Sequence, residues 1–231
     1  MNRFTAPIFV GLFLLLVAVV SHITPTAAQD YTPPDHGAPG RREGGGTRGG
    51  CLAQQPSLTA LMPTTNSGLT VTERPTFFWY VPQTAAAAEF VLLDQANAEV
   101  YKTTVSVPVQ AGVIGVSLPA STTALAVGKS YRWYFSLICD PLDRSADVFT
   151  SGWVQRIQPS AGLSQELASA TAAEKPKIYA KYGIWYEALA ELVKLRHSQP
   201  QNAALLNQWQ TLLQSVGLER LADQPLLEQG E

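Results

Sequence analysis

The chain has 231 residues, 16 of them Lys or Arg and 18 Asp or Glu, giving a formal net charge of −2 at pH 7. That near-balance offers no basic surplus for a nucleic-acid backbone. With 3 His and 2 Cys in all, His-based triads and thiolate zinc cages have almost no material to draw on.

The first residues read as an export signal. Asn2-Arg3 gives a short positive start, Ile8 to Val20 is an uncharged apolar run, and Thr26-Ala27-Ala28 supplies the small residues of a cleavage site. The run falls short of the roughly 20 residues that span a bilayer. Residues 1–28 are therefore expected to be a signal peptide cleaved after Ala28, with an uncleaved N-terminal membrane anchor as the alternative. Without Arg3 the mature chain carries 15 basic against 18 acidic residues and has no transmembrane helix. Residues 29–56, including PPDHGAPGRREGGGTRGG, have almost nothing apolar to bury and read as a disordered Gly/Pro/Arg-rich tether. Arg41, Arg42 and Arg48 are offset there by Asp30, Asp35 and Glu43.

Over 57–158 short apolar runs alternate with turn residues, the pattern of an antiparallel all-β domain. Strands are expected near Leu58–Met62, Thr76–Val81, Phe90–Asp94, Val100–Val105, Val113–Leu118, Ser130–Cys139 and Val148–Arg156. Prolines 63, 75, 82, 108, 119 and 141 fall at or near the run ends, where a missing N–H harms the ladder least. This is the layout of a small two-sheet sandwich. In the run beginning at Ser130, period two puts Tyr131, Trp133, Phe135, Leu137 and Cys139 on one face, and Arg132, Tyr134 and Ser136 on the other. Leu125, Gly128 and Tyr131 have the spacing L-x-x-G-x-x-Y. It resembles the tyrosine corner of immunoglobulin-like and fibronectin type III domains, where the Tyr hydroxyl bonds back to upstream backbone. Trp133, not Cys, stands two residues after the Tyr, so the fibronectin type III form is the better resemblance. Trp79 is placed to fill the core opposite Trp133.

After Pro159 the period lengthens. Gly162 to Ala173 is helix-compatible, and Pro176 suits a first helical turn. Ile178, Tyr182, Trp185, Leu189 and Leu192 form one apolar helical stripe. Asn202 reads as an N-cap for a second, carrying Leu205, Trp209, Leu212 and Val216, which Gly217 ends. The fold class is thus α+β: an N-terminal immunoglobulin/fibronectin-III-like antiparallel β-sandwich, then a C-terminal α-helical hairpin over 159–227 packed on it. Residues 228–231 form a polar tail.

Chemistry is sparse. His197 sits near a helix end, where its charge suits the dipole. Glu187 and Glu191 lie one turn apart beside Lys194 and read as a solvated charged face. The loop from Asp140 to Asp147 is the candidate binding loop. Asp140, Asp143 and Asp147 offer oxygen ligands of the kind calcium takes, but the spacing matches no EF-hand, Arg144 can neutralise the acids, and Asp and Pro suit an ordinary turn. No metal or other cofactor is expected. Tyr80, Tyr134 and Trp153 offer rings for sugar stacking if exposed, and core packing if not. Cys51 and Cys139 are the candidate disulfide in an oxidising compartment, provided the fold makes them neighbours.

The runs RPTFFWYVP at Arg74–Pro82, LxxGKxYRW at Leu125–Trp133, SGWVQRI at Ser151–Ile157 and GIWYEAL at Gly183–Leu189 together resemble the cyanobacterial domain of unknown function 928 family. The Gly-Arg-rich segment ending at Cys51 fits too. The resemblance implies an exported protein and carries no catalytic residue with it. The favoured reading is a non-catalytic periplasmic or extracellular module of the cell envelope whose partner is an envelope protein or glycan. The alternatives are a carboxylate-dependent, carbohydrate-active hydrolase and a periplasmic sensory partner of a membrane protein.

Overall fold

Alternation of apolar and polar side chains builds eight strands in the structure, a computed structural model that describes residues 1, 31, 38–44, 56–84 and 86–227. They are β1 Thr59–Ala60, β2 Ser67–Thr70, β3 Thr76–Val81, β4 Ala87–Leu93, β5 Glu99–Val105, β6 Gly112–Ser117, β7 Ser130–Ile138 and β8 Val148–Arg156. Seven match the expected runs. The eighth, β2, has the sequence SGLT and no apolar run to announce it. One sheet has the order β1-β3-β6 and the other β2-β8-β7-β4-β5. All named pairs are antiparallel except β2 with β8, which run parallel. The signal segment 2–28, Cys51 and the tail 228–231 lie outside the described residues.

The core lies between the sheets, where aromatic rings interlock. Trp79 of β3 meets Trp133 of β7 edge-on at 5.5 Å and stacks on Phe135 at 4.3 Å. Phe77 and Phe90 complete the cluster at 5.0 Å from each other. Burying each such side chain contributes roughly 2–3 kcal/mol before the entropy of ordering is counted. Of the five tryptophans, Trp79, Trp133, Trp185 and Trp209 are buried, which leaves Trp153 as the one turned outward.

Part of the segment expected to be a free tether is paired to the sheets. Residues 38–44 cross from one sheet to the other. Arg41 exchanges both backbone bonds with Ser151 of β8, each at 2.8 Å, and Gly44 donates to Leu58 O beside β1 at 2.7 Å. The backbone supplies this attachment, so the lack of apolar side chains does not prevent it. Close approach explains the glycines. A Cβ on Gly40 would sit 2.8 Å from Ser151 O, and one on Gly44 would sit 2.7 Å from Val148 Cγ1. Tyr31 is also held, buried edge-on against Trp185 at 4.9 Å.

Where a helical hairpin was expected, the chain forms four helices: α1 Ala161–Ser169, α2 Lys175–Lys181, α3 Trp185–Ser198 and α4 Ala203–Gln214. The stripe from Ile178 to Leu192 is interrupted at Gly183, whose φ of 73° suits glycine and costs other L-residues about 1–2 kcal/mol. Gly183 N–H donates to Ala180 O and Ile184 N–H to Tyr179 O, the paired bonds that close a helix end. Asn202 caps α4, its Oδ1 accepting from Ala204 N–H and Leu205 N–H. No described helix is long and apolar enough to cross a membrane.

Because the chain turns at Gly183, the first turn of α3 points into the sandwich. α3 touches β2 of one sheet and β3 of the other. Trp185 Nε1 donates to Leu61 O at 2.8 Å. Tyr186 packs against Phe77 at 5.1 Å, accepts from Trp133 Nε1 at 3.1 Å and donates to Trp153 O at 3.0 Å. One hydrophobic cluster consequently includes Trp79, Trp133, Trp185 and Trp209, joining strands and helices in a shared core.

Candidate functional site

The acidic loop is occupied with its own turn. Asp140 Oδ1 accepts from Leu142 N–H at 2.8 Å. Asp143 caps a 3-10 turn at Arg144–Ala146 by accepting from Ser145 N–H and from its hydroxyl, which holds its carboxyl below the usual range. Arg144 pairs with Asp147 at 2.6 Å and with Glu89 of β4 at 3.2 Å, and Lys102 of β5 holds Glu89 from the other side at 2.9 Å. Burial pushes Glu89 up, but the two cationic donors pull it down further. Among the described residues no three acids, histidines or cysteines form a group that could hold a metal ion.

Leu125 is fully buried, Gly128 has a φ of 78°, and Tyr131 Oη accepts from Ala126 N–H at 2.9 Å. Cys139 is half-buried at the end of β7 and is not a free thiol. Tyr80 is buried at 3% exposure, so it offers no ring to a ligand. His197 is exposed in the last turn of α3.

Glu187 departs from its expected solvated place. It lies in the first turn of α3 at 9% exposure. Its Oε1 accepts from the Thr70 hydroxyl, from Thr72 N–H at 3.0 Å and from Val71 N–H at 3.2 Å. Its Oε2 is buried without a partner. Burial raises its carboxyl above the usual range, and the donors offset that only in part. The group thereby ties α3 to the end of β2, the strand its neighbourhood does not otherwise announce.

A different surface concentrates exposed chemistry. On the outward side of the five-stranded sheet, Arg132 stands opposite Trp153, Tyr134 opposite Ser151, and Ser136 opposite Phe149. The Arg132 guanidinium lies 4.8 Å from the Tyr134 ring and 5.9 Å from the Trp153 ring. Tyr134 meets Phe149 at 6.3 Å, and Arg41 of the crossing segment covers Phe149 at 4.9 Å. Trp153 Nε1 donates to Pro39 O at 2.9 Å, fixing the ring against that same segment. The result is a ladder of Trp153, Arg132, Tyr134, Phe149 and Arg41. Along β8 its rings at 149 and 153 are about 13 Å apart at the usual strand rise. Neither arginine has a carboxylate partner among the described residues, whereas Arg144 and Lys102 nearby are both paired. Strand alternation could place Arg132, Tyr134 and Trp153 outward. Arg41 comes from a segment with no periodicity, so nothing in the sequence tied it to them.

No curated protein matches the chain. The model of the family described as Domain of Unknown Function (DUF928) matches residues 43–226, a span that takes in both sheets, all four helices, the acidic loop and every rung of the ladder except Arg41. The chain therefore belongs to the DUF928 family.

Proposed function

We propose that the chain is an exported, non-catalytic module of the cell envelope that binds a glycan on the ladder face. The observation that carries this reading is the row of half-buried rings at Trp153, Tyr134 and Phe149 on the outward side of β7 and β8, whose other aromatics, Tyr131, Trp133 and Phe135, are buried. Rings and guanidinium groups fixed in this way present a pre-ordered surface at little further entropic cost, which suits a flat sugar. In this reading the β region is an immunoglobulin-like sandwich, since the Tyr131 bond to Ala126 N–H is the one a tyrosine corner makes. Export rests on the Arg3, Ile8–Val20 and Ala28 pattern. A bond between Cys51 and Cys139 belongs to the same reading.

Affinity electrophoresis of the exported protein against a panel of envelope polysaccharides tests the binding. Tyr134→Ala and Trp153→Ala are each expected to weaken capture roughly tenfold, about 1.4 kcal/mol, with no product released from the polymer. Binding that survives both changes and is lost on replacing Asp140, Asp143 and Arg144 would move recognition to the acidic loop. Polymer cleavage abolished by one Asp or Glu replacement would establish a hydrolase instead. Intact mass of the same exported sample, before and after reduction, checks cleavage after Ala28 and the disulfide. A full-length mass or two free thiols would refute those parts.

A further inference from the structure

Resting on that reading of the ladder face, we infer that its ligand is an acidic polysaccharide, with Arg41 and Arg132 binding the carboxylates. Neither cation is in an ion pair among the described residues. Each guanidinium lies against a ring, Arg132 on Tyr134 and Arg41 on Phe149, at 4.8 and 4.9 Å. A guanidinium laid face-on to a ring would keep its in-plane N–H donors, which match a carboxylate's two oxygens, for a ligand. The Arg132 Nε is enclosed without an acceptor, so a ligand's carboxylate would be met by the Nη donors of this cation.

The neighbouring charges sharpen the contrast. On the same sheet and the loop beside it, Lys102, Glu89, Arg144 and Asp147 form a neutral chain of ion pairs. At Arg41 and Arg132 the close neighbours are aromatic rings instead. The surplus is local, because the whole chain is mildly acidic at −2. An acidic peptide fits this face less well. Extended peptides gain affinity from backbone bonds along a sheet edge, and protein anchors fill enclosed pockets. The ladder is a side-chain surface in the middle of a sheet, with half-exposed rings between two cations.

Polygalacturonate and its methyl-esterified form share one backbone and differ in charge, so they make a matched pair of probes for calorimetric titration with the full exported chain. The expected result is binding of polygalacturonate at least tenfold tighter than of the ester, weakening as salt rises. Arg132→Gln and Arg41→Gln each lower that affinity about five- to tenfold and flatten the salt dependence. Arg132→Lys keeps the charge and the salt dependence while losing affinity, which separates recognition from any loss of folding. Equal affinity for both polymers, lost in Tyr134→Ala and Trp153→Ala but indifferent to the arginines, would overturn the acidic ligand and leave the glycan face standing. Affinity untouched by the aromatic changes would overturn the face itself. Poly-glutamate bound as tightly as polygalacturonate, with the same arginine dependence, would replace the glycan by an acidic protein. Binding to neither polymer would overturn the inference.

Discussion

Trp185→Ala lowers the stability of the folded chain by about 3–5 kcal/mol, the usual range for emptying a tryptophan site in a packed core. At roughly 2–4 °C per kcal/mol for a chain of this size, the thermal midpoint falls by about 6–20 °C. The residue is wholly buried, its Nε1–H is spent on Leu61 O at 2.8 Å, and its ring supports Tyr31 at 4.9 Å. Removing it leaves a cavity at the point where α3 enters between β2 and β3, and leaves the Leu61 carbonyl without that donor. Because strands and helices share one cluster, a single cooperative transition should shift as a whole. Val127→Ala, at a position 47% exposed, is the control and should move stability by no more than about 0.5 kcal/mol. Two separate melting transitions, with the strands unaffected by the change, would mean that the helices do not contribute to the sandwich core.

Glu187→Ala is expected to cost about 2–4 kcal/mol, since the Thr70 hydroxyl and the Val71 and Thr72 N–H groups lose their acceptor. Water can reach the half-buried Val71 and Thr72 and moderates the loss. Glu187→Gln is more informative. In the folded state burial raises the carboxyl above its ordinary 4.5, so the folded chain binds this proton more tightly than the unfolded one. Stability from this group therefore grows as pH falls through the raised pKa toward about 4.5, and is lost as pH rises through the same window. Glu89, Asp143, Glu166 and Glu174 have lowered pKa values and act in the opposite sense, losing stability as pH falls. Urea midpoints for the wild type and Glu187→Gln over a pH series isolate the one group. Their difference should tilt in favour of the wild type toward acid and flatten below about 4.5. Parallel curves would show that the Glu187 proton is held equally in both states.

Much of the sandwich was legible because sheet burial leaves a period-two trace. The bounds of β3 and β8 match the expected runs, and Trp79 faces Trp133. β2 left no such trace. Its residues are Ser, Gly, Leu and Thr, and it is recruited by parallel pairing with β8 and by the Glu187 carboxylate. Glu187 itself misled for the same reason: a Glu one turn from another near a Lys looks solvated until a distant strand end is found to supply its donors. The helix break was missed because Ile178, Tyr182, Trp185 and Leu189 keep three- and four-residue spacing across it. The one local signal was Gly183, a residue suited to the φ above zero at which helices commonly end. The candidate site was half visible. Alternation put Tyr134 on the face opposite Trp133 but left Trp153 open between surface and core, and the acidic loop was the candidate although its carboxylates serve its own turn and ion pairs.

The crossing segment 38–44 has a further consequence, for solubility. Strand edges present unpaired N–H and C=O groups that invite other chains to add on. Here Arg41 occupies the end of β8 that β2 leaves bare, residues 42–44 line β1, and Pro225 and Leu227 do the same for β6 through Val113. β5 keeps its outer edge, broken by the charge of Lys102 and exposed polar Thr104. Trimming the chain up to Gly44 would uncover β1 and part of β8 together, turning a self-limiting fold into one with two adhesive margins. A stretch of Gly and Arg that buries almost nothing thus serves to keep one copy of this protein from becoming the template for the next.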